Sequence, residues 1–280
     1  HDDAYVSGTK RIYMTATPRV YGTSAREKAA EQSVELCSMD DEELFGPTFF
    51  TMNFSRAVEE NLLTDYKVVV LAMDEADVSA GVPGVLEADN ELKLDDATKI
   101  VGCYKALAKD GLREDTLKHD PNPMRRALAF CKDIAASKLV MSEFDRVARE
   151  WVDNRDGDGI KGIRCELDHV DGGHGAKERT RKLNWLAEDP DANTCRILSN
   201  ARCMSEGVDL PALDAILFMH PRKSKIDVVQ SVGRVMRRAP NKKLGYVILP
   251  VAIPAHLRPE DALNDNERYR IVWDVLNALR

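Results

Sequence analysis

The chain has 280 residues, is 44% hydrophobic and 31% charged, and carries a net charge of −7. That composition supplies a sizeable core for one or two domains, and no apolar run approaches the roughly 18 residues of a membrane span. The six cysteines (Cys37, Cys103, Cys131, Cys165, Cys195 and Cys203) include no C-x-x-C pair, so neither a zinc site nor a disulfide framework is indicated and a reducing cytosol fits.

No signal peptide is visible, and the first residue is His1, not Met. Arg11–Met14 reads as a short strand ending at Thr15-Ala16-Thr17-Pro18, followed by an acidic, loop-like stretch to Phe45-Gly46-Pro47. Ser55–Leu63 reads as a short helix with Ser55 as its N-cap. Beyond it, β-rich runs at Tyr66–Met73, Arg126–Cys131, Ile163–Asp168, Cys195–Ser199, Ala215–Met219 and Gly245–Pro250 read as buried strands. Helical patterns at Ala97–Lys109, Lys132–Val152, Ala176–Glu188 and Lys225–Arg234 lie between them. Apolar strands alternating with amphipathic helices imply an α/β fold with a parallel sheet covered on both faces. On such sheets ligands gather at the carboxyl ends of the strands. A lone strand this near the N-terminus has no sheet of its own here, which suggests the tail of a preceding domain. Asn266–Arg280 reads as an amphipathic helix running off the other end.

Charge is unevenly spread. Arg222 to Lys243 holds eight basic residues against Asp227 alone, whereas Asp74 to Asp96 holds eight acids against Lys93 alone. The local field, not the total charge, decides which partner a surface attracts. Within the basic stretch, Gln230, Gly233, Arg234 and Arg237 spell Q-x-x-G-R-x-x-R. If the helix continues through it, both arginines and the glutamine share one face. Two forked, permanently charged guanidinium groups suit the oxygens of a triphosphate, although a plain basic surface helix shows the same spacing.

Two patterns look like sites and fail on context. Asp74-Glu75-Ala76-Asp77 follows an apolar run, as a magnesium-binding strand end would, but no G-x-x-x-x-G-K-[ST] phosphate loop occurs anywhere to partner it. It reads instead as a strand running into an acidic surface loop. Asn154 to Gly159 has the look of a calcium loop, yet the twelfth position is Cys165 where a bidentate Glu is needed. His169 and His174 have only Cys165 nearby and make poor metal ligands, so no metal site is expected.

Three segments fall in a fixed order: Thr15-Ala16-Thr17 at a strand end, Ile197 through Ser199, Asn200, Glu206, Gly207 and Asp209 to Pro211 after a strand, and Gln230 to Arg238. Together they resemble motifs III, V and VI of the superfamily-two helicases and translocases. Met14 to Tyr21, Phe45-Gly46-Pro47 and Ala57 to Lys67 further resemble the motor parts of the single-chain Type ISP restriction–modification enzymes, with Type I motor subunits next. The resemblance spans roughly Arg11 to Arg280. It implies a RecA-like fold, with 1–65 the tail of a first RecA-like domain and linker, 66–256 a second RecA-like domain, and 257–280 the start of a helical region.

The resemblance also implies roles. Arg234 and Arg237 would be arginine fingers for the γ-phosphate of ATP, held with Mg2+ mainly by the other RecA-like domain, and Gln230 would position the nucleotide or its attacking water. Glu206, Gly207, Asp209 and Gly233 would belong to the nucleotide-binding side. Asp209 would accept hydrogen bonds from the ribose or a motif VI arginine, or simply fix its loop. Ser199 and Asn200 would touch nucleic-acid phosphate or cap the next turn, while Lys132 and His169 would line the track. Thr15, Ala16 and Thr17 would couple the two domains. The partners implied are DNA, with RNA not distinguished from it by the residues, the first RecA-like domain, and nuclease or methyltransferase domains of the same protein. Lacking a phosphate loop, the isolated chain is expected to be inactive as an ATPase. The other reading is a nucleic-acid-binding module with no ATPase activity of its own.

Overall fold

The structure, a computed structural model, describes residues 9–15, 18–88, 92–155, 162–201, 213–220 and 225–253. The chain divides into two units, His1–Asn53 and Phe54–Arg280. In the first unit, helix α1 spans Thr23–Glu31 and α2 spans Glu42–Phe45. Asp41 starts α2 by accepting hydrogen bonds from the Glu43 and Leu44 amides at 3.0 and 3.3 Å. Residues 11–14 do not form the expected strand. An extended segment needs a neighbour to satisfy its backbone, and this one leaves Ile12 and Met14 69% and 90% exposed.

The second unit carries α3 (Phe54–Glu59), β1 (Tyr66–Asp74), α4 (Glu75–Gly81), α5 (Pro83–Ala88), α6 (Leu94–Ala108), α7 (Glu114–His119), β2 (Arg126–Phe130), α8 (Ile134–Asp153), β3 (Arg164–Asp171), α9 (Ala176–Ala187), β4 (Thr194–Ala201), β5 (Ala215–Phe218), α10 (Lys225–Val235) and β6 (Gly245–Ile253). The six strands form one sheet in the order β1-β6-β5-β2-β4-β3, and every pairing is parallel. This is an open α/β sheet with helices on both faces, the RecA-like arrangement.

Side-chain alternation along each strand splits the core in two. Ala127 and Ala129 of β2, Ile197 of β4 and Ile248 of β6 pack with α4, α5, α6 and α8. Leu128 and Phe130 of β2, Leu198 of β4 and Val247 and Leu249 of β6 pack with the residues of α9 and α10 and with Phe54 and Val58 of α3. Phe130 and Phe218 stack across that second layer with centroids 5.5 Å apart. Hydrophobic strands buried on both sides lose their two-residue alternation of polarity, which explains their continuous apolar reading.

Two local expectations are corrected. Helix α3 begins at Phe54, so Ser55 lies inside it and is not its cap. The acidic stretch after β1 is not a loop but α4 and α5. Asp74 caps α4 through the Ala76 amide at 2.8 Å, and Val78, Val82 and Val85 are buried beneath the acids. The Asp74 carboxylate thus serves a helix N-terminus, where a negative charge is favoured.

Candidate functional site

The arginine segment departs from the single helical face expected of it. Helix α10 ends at Val235, and Arg237 lies beyond it in a turn closed by its own amide on the Arg234 carbonyl at 3.3 Å. Arg234 is buried, 7% exposed, and its guanidinium is pushed below the usual arginine range by that burial. Arg237, Gln230 and Gly233 are half-buried. A Cβ on Gly233 would meet only the Phe54 ring at 3.9 Å, so no close approach among the described residues requires a glycine there.

Contacts from separate segments hold this turn. The Lys242 ammonium donates to the carbonyls of Val235 and of Arg237, the latter at 3.0 Å. The Met236 carbonyl accepts the Thr64 amide at 2.7 Å. The Arg238 guanidinium donates to the Asn61 carbonyl at 2.7 Å. Gly245 sits against the same place, where an added Cβ would lie 2.5 Å from the Val235 carbonyl oxygen. Burial lowers the Lys242 ammonium to about 8, against the opposing pull of the Asp214 carboxylate. Sequence reading missed Lys242, because one lysine in a basic run carries no mark of which carbonyls it will meet.

At the carboxyl edge of the sheet, register brings Ala129, Ser199 and His169 into one row across β2, β4 and β3. Three of the residues expected to touch nucleic acid turn inward here. Ser199 and Asn200 are fully buried and His169 is 4% exposed. Ser199 donates to the Ser137 carbonyl at 2.8 Å, and the Asn200 amide to the Ala129 carbonyl at 2.9 Å. The His169 ring lies 2.7 Å from the Ser137 hydroxyl and 2.9 Å from an Asp171 oxygen. These side chains spend their hydrogen bonds inside the protein, tying α8 and the loop after β3 to the strand ends. Lys132, just past β2, is exposed.

Asp171 is the hub of that loop. Its carboxylate accepts from His169 and from the Gly173 amide at 2.7 Å, and its own amide donates to His174 at 3.1 Å. The hydrogen bond from His169, then that from Gly173, holds the Asp171 carboxyl down to about 2. His169, Asp171 and His174 place ligand-type atoms within 4.8 Å of one another, but those atoms already serve the turn.

Of the remaining expected site residues, Thr15 is exposed in the first unit. Ala16 and Thr17, and the whole Glu206, Gly207 and Asp209 segment, lie outside the described residues.

The residue after β5 and Met219 yields a pH prediction. His220 sits near Asp96, 4.0 Å from its Nε2, and burial, with help from Lys99 and Lys132, pulls its pKa from 6.5 to about 4. The unfolded chain takes up that proton near 6.5, so stability is intact above that value and is lost as the pH falls towards about 4. The expected loss is about 3 kcal/mol. Thermal unfolding from pH 7 to pH 4 should show a shallower acid limb in His220→Gln than in the wild type, and identical limbs would refute the assignment.

Residues 115–239 match the family described as the helicase conserved C-terminal domain. The whole chain superposes on the ATP-dependent Type ISP restriction–modification enzyme LlaBIII bound to DNA, with 42% sequence identity and a TM-score of 0.79, while covering 18% of that chain. A protein of African swine fever virus named as a probable helicase is 24% identical over 246 residues, which is 87% of this chain and 23% of the viral one. The chain therefore spans less than a quarter of the length of these two relatives. Residues 115–239 therefore carry a helicase conserved C-terminal domain, set in a parallel RecA-like sheet, and the whole chain is similar to part of an ATP-dependent Type ISP restriction–modification enzyme.

Proposed function

We propose that this chain is the second motor domain of an ATP-dependent DNA translocase of a restriction–modification system. The observation that carries the reading is its 42% identity, over its full length, to an enzyme described as ATP-dependent and bound to DNA. In this reading ATP with Mg2+ sits in a cleft between two RecA-like domains. The phosphate loop and the metal-holding carboxylate come from the first of them, since this chain has no phosphate-loop motif. This chain supplies Arg234 and Arg237, with Gln230 and the Glu206 to Asp209 segment on the nucleotide side.

Hydrolysis opens and closes the cleft, and Thr15, Ala16 and Thr17 relay nucleotide state between the domains. DNA runs along the carboxyl edge of the sheet past Lys132. Nuclease and methyltransferase domains of the same protein act on what the motor delivers. Burial of Ser199, Asn200 and His169 supports a supporting role for them beneath that edge rather than contact with phosphate.

A full-length enzyme containing this chain should hydrolyse ATP in a DNA-dependent way, and the 280 residues alone should not. Hydrolysis by the isolated chain would overturn the division of labour. A full-length enzyme that binds DNA without turnover would leave a binding module instead.

A further inference from the structure

The turn that carries Arg237 lies past the end of α10 at Val235 and is closed by one long backbone hydrogen bond, from the Arg237 amide to the Arg234 carbonyl at 3.3 Å. A guanidinium on a loose turn would not present a fixed charge to a phosphoryl group, and a misplacement of about 1 Å can cost about a hundredfold in rate. Yet the turn is gripped from two directions. From the C-terminal side, Lys242 reaches back from the loop before β6 and donates to the carbonyls of Val235 and Arg237. This satisfies an orphan carbonyl of the last helical turn and places a cation at the negative end of the helix. From the N-terminal side, the segment between α3 and β1 lies alongside. Asn61 accepts from Arg238, Thr64 donates to Met236, and Asp65 accepts from the Gly245 amide at 2.8 Å.

Lys242 is half-buried, and among the described residues its ammonium donates to neutral carbonyls. Desolvating a cation is costly, and among the described residues Asp214 is the acid that acts on it. A neutral apolar residue would cap the space at lower cost if packing were the sole requirement.

We propose that Lys242 and Arg238 are positioning residues that clamp the Met236–Arg238 turn and thereby aim Arg237. The clamp also ties the turn to the segment leading from α3 into β1, so movement of that segment is felt at Arg237. The proposal rests on the reading of Arg237 as an arginine finger, and the test separates the two.

In the full-length enzyme, DNA-stimulated ATP turnover and ATP affinity are measured for Lys242→Met, Lys242→Arg, Arg238→Met and Arg237→Ala, and for Lys242→Met combined with Arg237→Ala. Melting curves report folding. Lys242→Met should lower kcat by about 10-fold to 100-fold with ATP affinity within about threefold. Lys242→Arg, which keeps a charged donor, should recover at least about a third of the activity. The double variant should be no slower than Arg237→Ala, because both act through one group. Arg238→Met should lose about threefold in kcat by the same route, and its exposed side chain leaves the fold intact. Wild-type kcat in folded Lys242→Met, with Arg237→Ala inactive, would overturn the clamp. If Lys242→Met fails to fold, wild-type kcat in Arg238→Met does so instead. Wild-type turnover in Arg237→Ala would overturn the finger reading.

Discussion

Arg237→Ala in the full-length motor is expected to lower DNA-stimulated ATP turnover by about a thousandfold or more, with ATP affinity changed by less than about tenfold. A finger stabilises charge that spreads over the γ-phosphoryl oxygens only as the bond breaks, so its loss falls on kcat rather than on ground-state binding. Arg237 is the better probe of the two arginines. It is half-buried on a turn past the end of α10, so truncating it removes little packing. Arg234 is 7% exposed and its charge is already disfavoured by burial. Arg234→Ala should therefore lower melting temperature as well as turnover, and its kinetic loss alone would not identify its role. Arg237→Lys keeps the charge but not the fork and should recover little. Turnover within about threefold of wild type in a folded Arg237→Ala enzyme would sink the assignment.

The positions of the strands were legible because each is a short apolar run bounded by turn residues, and the parallel sheet followed from their alternation with amphipathic helices. Strand ends were placed less well. The sequence reading ends β3 at Asp168, but the strand continues to Asp171: His169 and Asp171 look polar, yet they are buried with their polar atoms paired to each other, Ser137, Gly173 and His174. Helices α4 and α5 were hidden by their acids, since the buried positions Val78, Val82 and Val85 are too few to set a period. The segment near Arg11 expected as a short strand joins no sheet among the described residues, and pairing is a tertiary property that no local run of residues encodes.

The same distinction governs the site. Ser199, Asn200 and His169 were placed correctly at strand ends, but their direction depends on neighbours from other strands, and that direction is inward. The Q-x-x-G-R-x-x-R pattern located the arginines, yet it suggested one continuous helical face. Two contacts sit where that face ends: the carbonyl of Val235 taken up by Lys242, and the close seat of Gly245 against it. Both lie beyond the motif.

Trp151→Ala should be the most damaging of the core substitutions, costing about 3–5 kcal/mol of stability. Trp151 is 1% exposed near the end of α8 and is the largest fully buried side chain among the described residues. Its ring fills the space against α4 so closely that a Cβ on Gly81 would lie 2.6 Å from it. Arg155 covers the ring at 3.9 Å, and the Asn154 amide donates to the Gly81 carbonyl at 3.0 Å beside it. Truncation leaves a cavity that α4 can fill only by shifting toward α8, and α4 is held at the end of β1 by the Asp74 cap. The indole Nε1 is buried and finds no hydrogen-bond partner among the described residues. Trp151→Phe therefore gives up volume without stranding a polar group and should cost roughly 1–2 kcal/mol. Urea unfolding of the two variants distinguishes two ways of failing. A lower midpoint at constant slope means that α4 and α8 unfold with the sheet as one unit. A reduced slope means that α4 detaches first and exposes its valines in the native state. A loss below about 1 kcal/mol in Trp151→Ala would show that the seam between α4 and α8 collapses freely, contrary to the close seat of Gly81 against the ring.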